Sequence, residues 1–185
     1  MSSDDVVQDV ITVVPEAPLM TMREAIQWSA RKFCTEADAW ITDEQPIIYG
    51  ADSDYPMIVA PQGEPLRIVS LTLNGREVVQ GEGFEQRSPT DIHFNQKPNE
   101  SAVSGRLACR PKRGDMPPAE VTERWSEPIA YGACWRLLMM PQPWQNPELA
   151  HYYERRFLAG ITDAKQQSRL GHARGGSRVK ARRFI

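Results

Sequence analysis

Residues 66–79 read LRIVSLTLNGREVV, two runs rich in β-branched and apolar residues separated by Asn74-Gly75. Both central positions of a type I′ turn need a positive φ, which Asn and Gly tolerate best, so the pattern predicts a β-hairpin turning at 74–75. Upstream, QPIIYGADSDYPMIVAP (45–61) holds two short apolar runs around a polar break at 50–54, the mark of another strand pair. Downstream, DIHF (91–94) and VSGRLACR (103–110) read as two more strands. In the second of these Val103, Leu107 and Cys109 lie on one face and Ser104, Arg106 and Arg110 on the other. Residues 39–111 therefore read as a small antiparallel sheet or sandwich.

Helical spacing frames this lobe on both sides. Ser3 precedes Asp4 and Asp5, residues that favour a helix N-terminus, and Val6, Val7, Val10, Ile11 and Val14 recur at helical spacing until Pro15 and Pro18. In the next segment Thr21 and Glu24 have the T-x-x-E spacing of a capping box, and Met22, Ala25, Ile26, Ala30, Phe33 and Ala37 draw one apolar face. Beyond the linker KRGDMPPAE (112–120), Val121, Trp125, Ile129, Ala133 and Leu137 or Leu138 resume the period. Pro128 interrupts it, so this helix either kinks there or starts anew with Ser126 as N-cap and Pro128 in its first turn. The loop PQPWQ (141–145) ends it, and Asn146-Pro147-Glu148 supplies a cap, a pre-set φ and a carboxylate for the next helix. Leu149, Tyr153, Phe157, Ile161 and Ala164 line one face of that helix down to Gly171, the expected C′ position. Residues 119–170 thus predict an antiparallel helical hairpin with Trp144 at its joint.

The fold class expected is α+β. Residues 1–38 and 112–170 make one helical domain, residues 39–111 an inserted β lobe, and residues 171–185 a basic, flexible C-terminal tail. A chain of 185 residues, 41% hydrophobic and 25% charged, suits that size of globular unit. Its net charge of −2 is unevenly spread: Arg174, Arg178, Lys180, Arg182 and Arg183 put +5 in the tail, leaving 17 basic and 24 acidic residues, or −7, in the body. An acidic body argues against broad phosphate binding. The N-terminal residues lack the basic flank and apolar run of a signal peptide, and no run of 18 apolar residues occurs, so no membrane association is expected.

Little catalytic chemistry is legible. Cys34, Cys109 and Cys134 are widely spaced, which argues against a disulfide framework or zinc site and for a reducing compartment. His93, His151 and His172 have no evident partners, apart from Glu154 one helical turn after His151, and one such pair does not make a metal site. No GxGxxG, GxxxxGK[ST] or glycine-flanked serine elbow is present. The expectation is a protein that is not an enzyme, with no catalytic residue, metal or cofactor. Trp125, Trp135 and Trp144 crowd the C-terminal hairpin as core or interface residues. Tyr152 and Tyr153, being adjacent on a helix, face different directions, so one is free for an oligomer contact.

The run PPAEVTERWSEPIAYGACWRLLMMPQPWQNPELAHYYERRFLAGITDAK (117–165), followed by the basic RVKARRF, resembles the C-terminal half of the adaptor proteins of tailed bacteriophages, the connectors between head and tail. The features that carry the resemblance are the Gly132-Ala133 pair, Trp144 in a proline loop, the Asn146-Pro147 start, Phe157 in the long helix, and upstream Phe33 and Tyr55-Pro56. The resemblance implies a structural virion protein of the neck, assembled in the host cytoplasm. Adaptors form a ring, dodecameric in the family, beneath the portal protein. The ring extends the DNA channel, which genomic DNA crosses without specific binding, and offers a platform to the next connector or tail component. Tyr152, Arg155, Arg156 and Trp135 are the candidate ring-interface residues.

The tail fits this picture. Arg178-Val179-Lys180-Ala181-Arg182 alternates polar and apolar with the period of a strand, after a flexible Gly175-Gly176 lead-in. Adaptor C-terminal segments reach toward the portal, so the expected portal-binding residues are Arg178, Val179, Lys180, Arg182, Arg183, Phe184 and Ile185. The alternative is a nucleic-acid-binding or other partner-binding accessory protein that uses the same tail as a basic arm.

Overall fold

The computed structural model describes residues 3–43, 47–51, 53–73, 75–96, 98 and 103–170. The fold is α+β. Two helices, α1 (Ser3–Val13) and α2 (Leu19–Ala37), come first. Eight strands follow: β1 (Trp40–Thr42), β2 (Ile48–Tyr49), β3 (Met57–Ile58), β4 (Glu64–Leu73), β5 (Arg76–Glu77), β6 (Phe84–Gln86), β7 (Ile92–Phe94) and β8 (Val103–Arg110). Helices α3 (Ala119–Arg124), α4 (Ser126–Leu138) and α5 (Pro147–Leu170) close the order.

Helix α4 is the centre of the helical part and packs against α1, α2 and α5. It can do so because it is small and apolar on several sides, with Ile129, Ala130, Gly132, Ala133, Cys134, Leu137 and Leu138 all buried. The apolar stripes expected for α1, α2 and α5 converge on it: Val6, Val10 and Val14, then Phe33, and Phe157 are essentially inaccessible to solvent. Each large side chain buried to that degree contributes about 1.5–3 kcal/mol of transfer free energy.

The capping box expected at Thr21 and Glu24 does not form. Helix α2 begins earlier, at Leu19, because Pro18, held at φ −61°, delivers the chain into the helix and its carbonyl accepts from the Met22 N–H at 3.0 Å. Likewise α1 includes Ser3 as its first residue. At the Pro128 interruption the second alternative holds in part: a new helix starts with Pro128 in its first turn, but its N-cap is Trp125, at φ −120° and ψ 27°, and Ser126 is already helical. The α5 start is as expected, with Asn146 Oδ1 accepting from the Leu149 N–H at 3.1 Å and Glu148 in the first turn. Trp144 seats at the α4–α5 joint, donating through Nε1 to the Leu137 carbonyl at 3.2 Å. Gly171, the expected C′ residue, lies outside the described residues.

The β lobe holds a four-stranded antiparallel sheet in the order β1-β8-β4-β5 and two ribbons, β2–β3 and β6–β7. Pairing of Leu73 with Arg76 leaves a two-residue turn at 74–75, and Gly75 takes φ 74°, as the Asn-Gly signal requires. Asn74 itself is outside the described residues. Strand β6, which pairs Phe84 with Phe94 of β7, escaped the sequence reading. Three residues are too short to display a period of two.

Helix α2 joins the two parts. Phe33 and Ala37 belong to the helical core, whereas Cys34 is buried among Trp40, Ile68, Leu71, Leu107 and Cys109 of the lobe. Glu64 of β4 ties the junction: its Oε2 accepts from Arg31 Nη2 of α2 at 2.7 Å and from Arg110 Nε of β8 at 3.0 Å. Arg31 also donates to the Pro111 carbonyl. Gln27 Nε2 reaches the Gly114 carbonyl at 2.6 Å, holding the linker that returns the chain to the helices.

Candidate interaction surfaces

The outward face of α5 carries a tyrosine–arginine cluster. Tyr153 turns inward and stacks on Tyr131 of α4, centroids 5.7 Å apart, while its neighbour Tyr152 is 42% exposed. The arginine one turn on, Arg156, donates through Nε to the Tyr152 hydroxyl at 3.2 Å and lies 5.5 Å from the centre of its ring. That contact restrains the aromatic ring at the surface. Arg155 is exposed beside them, and Leu158, a turn beyond Arg155, is 49% exposed. Burial and the nearby Glu127 carboxylate push the Tyr131 hydroxyl above its ordinary pKa, so it stays a neutral donor at the edge of the cluster.

Three of the four candidate interface residues, Tyr152, Arg155 and Arg156, are thus brought together. Trp135 is placed elsewhere. It is half-buried in the helical core, edge-on to Trp28 at 5.7 Å and 6.1 Å from the Phe157 ring. The tail residues Arg178, Val179, Lys180, Arg182, Arg183, Phe184 and Ile185 lie outside the described residues.

A second surface, which sequence reasoning missed, is the β2–β3 ribbon. Tyr49 and Met57 pair across it and are both more than half exposed, and Tyr55 in its connecting loop is 89% exposed. Gly50 at φ 60° and the Ser53 hydroxyl, which donates to the Gly50 carbonyl at 2.6 Å, shape that loop. The available signal was the placement of two tyrosines and a methionine within a stretch otherwise reading as a polar turn.

A cleft of about 770 Å³ runs between β1 on one side and α3 with the last turns of α5 on the other. Trp40, Ile41, Val121 and Trp125 supply apolar lining, and Asp38, Asp43 and Glu120 supply carboxylates. Asp38 is the C-cap of α2 and, among the described residues, the one non-glycine with positive φ, at 51°. Its Oδ2 receives Arg67 Nε at 3.0 Å and Nη2 at 2.5 Å, while its buried Oδ1 has no hydrogen-bond partner among the described residues. Helices commonly end on a residue in this left-handed conformation, and Asp is among the few non-glycine residues that adopt it readily.

Groups with reactive potential are muted. Burial pushes the Cys34 and Cys134 thiols up to about 12, so both stay protonated and packed as small apolar groups. His151 Nδ1 lies 3.1 Å from Glu154 Oε2 on the exposed face of α5. No cluster of three metal-ligating side chains occurs among the described residues, and none of their helices is long and apolar enough to cross a membrane. Comparison with protein-family models and with curated proteins finds no match to this chain.

Proposed function

We propose that this chain is a connector subunit of a tailed-phage neck. In this role copies of it close into a ring, twelve in the adaptor pattern it resembles, beneath a portal protein. The ring extends the DNA channel and presents a surface to the next connector or tail component. The observation that carries the reading is the presence of two unlike exposed patches on one chain: Tyr152, Arg156 and Leu158 on α5, and Tyr49, Tyr55 and Met57 on the β2–β3 ribbon. A ring built by head-to-tail contacts needs two different surfaces on each copy, whereas a two-fold dimer needs only one. Exposed tyrosines held in place by arginine or by strand pairing lose little side-chain freedom on association, which is why such residues anchor interfaces.

The charge distribution supports the same role. A body at −7 repels the phosphates of DNA moving past it, while the +5 tail is available to an acidic partner surface. The test is co-sedimentation of the chain with the portal protein of the genome that encodes it. Stoichiometric association of the native chain, reduced at least tenfold by Tyr152→Ala with Arg156→Ala, is the expected result; no association with the native chain overturns the reading. The basic tail also motivates a nucleic-acid-binding alternative, which requires DNA affinity that falls steeply with salt and disappears when residues 171–185 are removed.

A further inference from the structure

The two exposed patches differ in charge as well as in place. We propose that they bind each other: the α5 patch of one copy seats on the outer face of the β2–β3 ribbon of a second copy. This pairing rests on the connector reading for the closure of such contacts into a ring, and it names the partner of each patch.

The ribbon presents a row of side chains. Residues opposite each other in an antiparallel pair share a face. Tyr49 pairs with Met57, and Met57 bridges to Asp91 just before β7, so the three line up across the strands. Arg87, whose N–H donates to the Asp91 carbonyl at 3.0 Å, ends the row. Two residues along β7, His93 pairs with Glu85 on the same face. All six side chains are exposed, whereas Ile48, Ile58, Ile92 and Phe94, on the other face, are buried in the lobe. Folding therefore uses one face of these strands and leaves the other to solvent, with two carboxylates and one guanidinium beside Tyr49 and Met57.

The α5 patch has the opposite balance. Tyr152, Arg155, Arg156 and Ala159 are exposed at helical spacing, and Leu158 adjoins them. Arg155 makes no ion pair among the described residues. Glu127, which acts on Arg156 from α4, accepts a hydrogen bond from Tyr131. Glu154 is paired with His151, and Glu148 and Asp163 lie about two helical turns from the arginines. Seated on the ribbon, Tyr152 and Leu158 meet Tyr49 and Met57, whose thioether suits an aromatic ring. Arg155 gains a carboxylate from Asp91 or Glu85, a charge-assisted bond.

Charge also selects this pairing over symmetric ones. A two-fold contact would set α5 against α5, opposing two arginines to their own copies, or ribbon against ribbon, opposing Asp91 and Glu85 to theirs. Like charges brought together across an interface disfavour it. The unlike pairing joins opposite charges, and it is the head-to-tail kind that can close a ring.

The test uses two complementary variants of the full chain. Tyr152→Ala with Arg155→Glu removes the α5 patch, and Tyr49→Thr with Met57→Thr removes the ribbon patch while keeping strand-forming residues. Sedimentation velocity at about 100 μM detects contacts with a Kd in the micromolar range. The native chain is expected to form species larger than a dimer and each variant alone to stay monomeric. An equimolar mixture of the two should give a one-to-one dimer and nothing larger, because one intact patch of each kind remains. Tyr55→Ser alters a side chain at the exposed loop and should weaken self-association of the native chain about tenfold, so the ribbon is tested even where the strand variant unfolds. Self-association of either variant overturns the proposal, as does a native chain that stays monomeric or a mixture that yields no dimer. Portal co-sedimentation is scored separately. Portal binding without this contact refutes the pairing alone, and the contact without portal binding refutes the connector reading alone.

Discussion

The ring of Phe157 in α5 lies directly over Gly132 in α4, so close that a β-carbon at residue 132 would fall 2.7 Å from two of its ring atoms. The same β-carbon would collide with Ser29 Oγ of α2, which donates a buried 2.7 Å hydrogen bond to the Ile129 carbonyl. Three helices therefore meet at a point that only a hydrogen can occupy. A second such approach occurs at Gly160, where a β-carbon would meet the Pro128 ring at 2.7 Å. Glycine in mid-helix ordinarily weakens the helix by about 1 kcal/mol relative to alanine, and here the close packing offsets that loss.

Gly132→Ala should consequently destabilise the protein despite alanine's better helix propensity. Overpacking in a well-filled core costs about 1–3 kcal/mol. Urea denaturation followed by circular dichroism checks this, and a gain in stability would show that the three helices do not pack as described.

Asn146→Ala removes the cap that accepts from the Leu149 N–H, while Asn146→Asp preserves an acceptor at the same place. The alanine variant should lose about 1 kcal/mol and the aspartate variant almost nothing.

Glu64 gives the junction between helices and lobe a defined pH response. The hydrogen bond from Arg31, assisted by Arg110, holds its carboxyl below the ordinary value of 4.5. A depressed folded-state pKa means that the unfolded chain binds the proton more readily, so the contribution is complete above about pH 4.5 and fades as pH falls through the folded value. Because the site is partly exposed, Glu64→Gln should cost no more than about 1 kcal/mol at pH 7, and this difference from the native chain should shrink toward zero in acid. A difference independent of pH from 7 down to 3 would contradict the assignment.

The thiols offer a chemical check. With Cys34 and Cys134 pushed up to about 12 and all three cysteines buried, a thiol-specific reagent at pH 8 should modify none of them in the folded protein and all three in denaturant. Rapid labelling of Cys134 in native buffer would mean that the α4 core opens readily.

Much of this architecture was legible in the residues because it rests on local rules. The Asn74-Gly75 hairpin, the apolar stripes of α1, α2 and α5, and the Asn146-Pro147 start each depend on a few neighbouring side chains. Where non-local geometry decides, the residues were silent or misleading. The T-x-x-E spacing at Thr21 was overridden by a proline three residues earlier, and β6 is too short to carry a period. The cleft beside Asp38 is assembled from α2, β1, α3 and α5, so no stretch of sequence displays it. The pairing of Tyr152 with Arg156 one turn away follows from helical spacing, whereas the contact of Trp135 with Trp28 of α2 joins residues more than a hundred positions apart and has no local signal.

Electron microscopy of the purified chain mixed with the portal protein of its own genome tests the connector reading most directly. The account requires class averages with a second ring stacked on the portal, of twelve copies, and the loss of that ring in the Tyr152→Ala, Arg156→Ala variant. Portal particles that remain bare with the native, folded chain present in excess would contradict it.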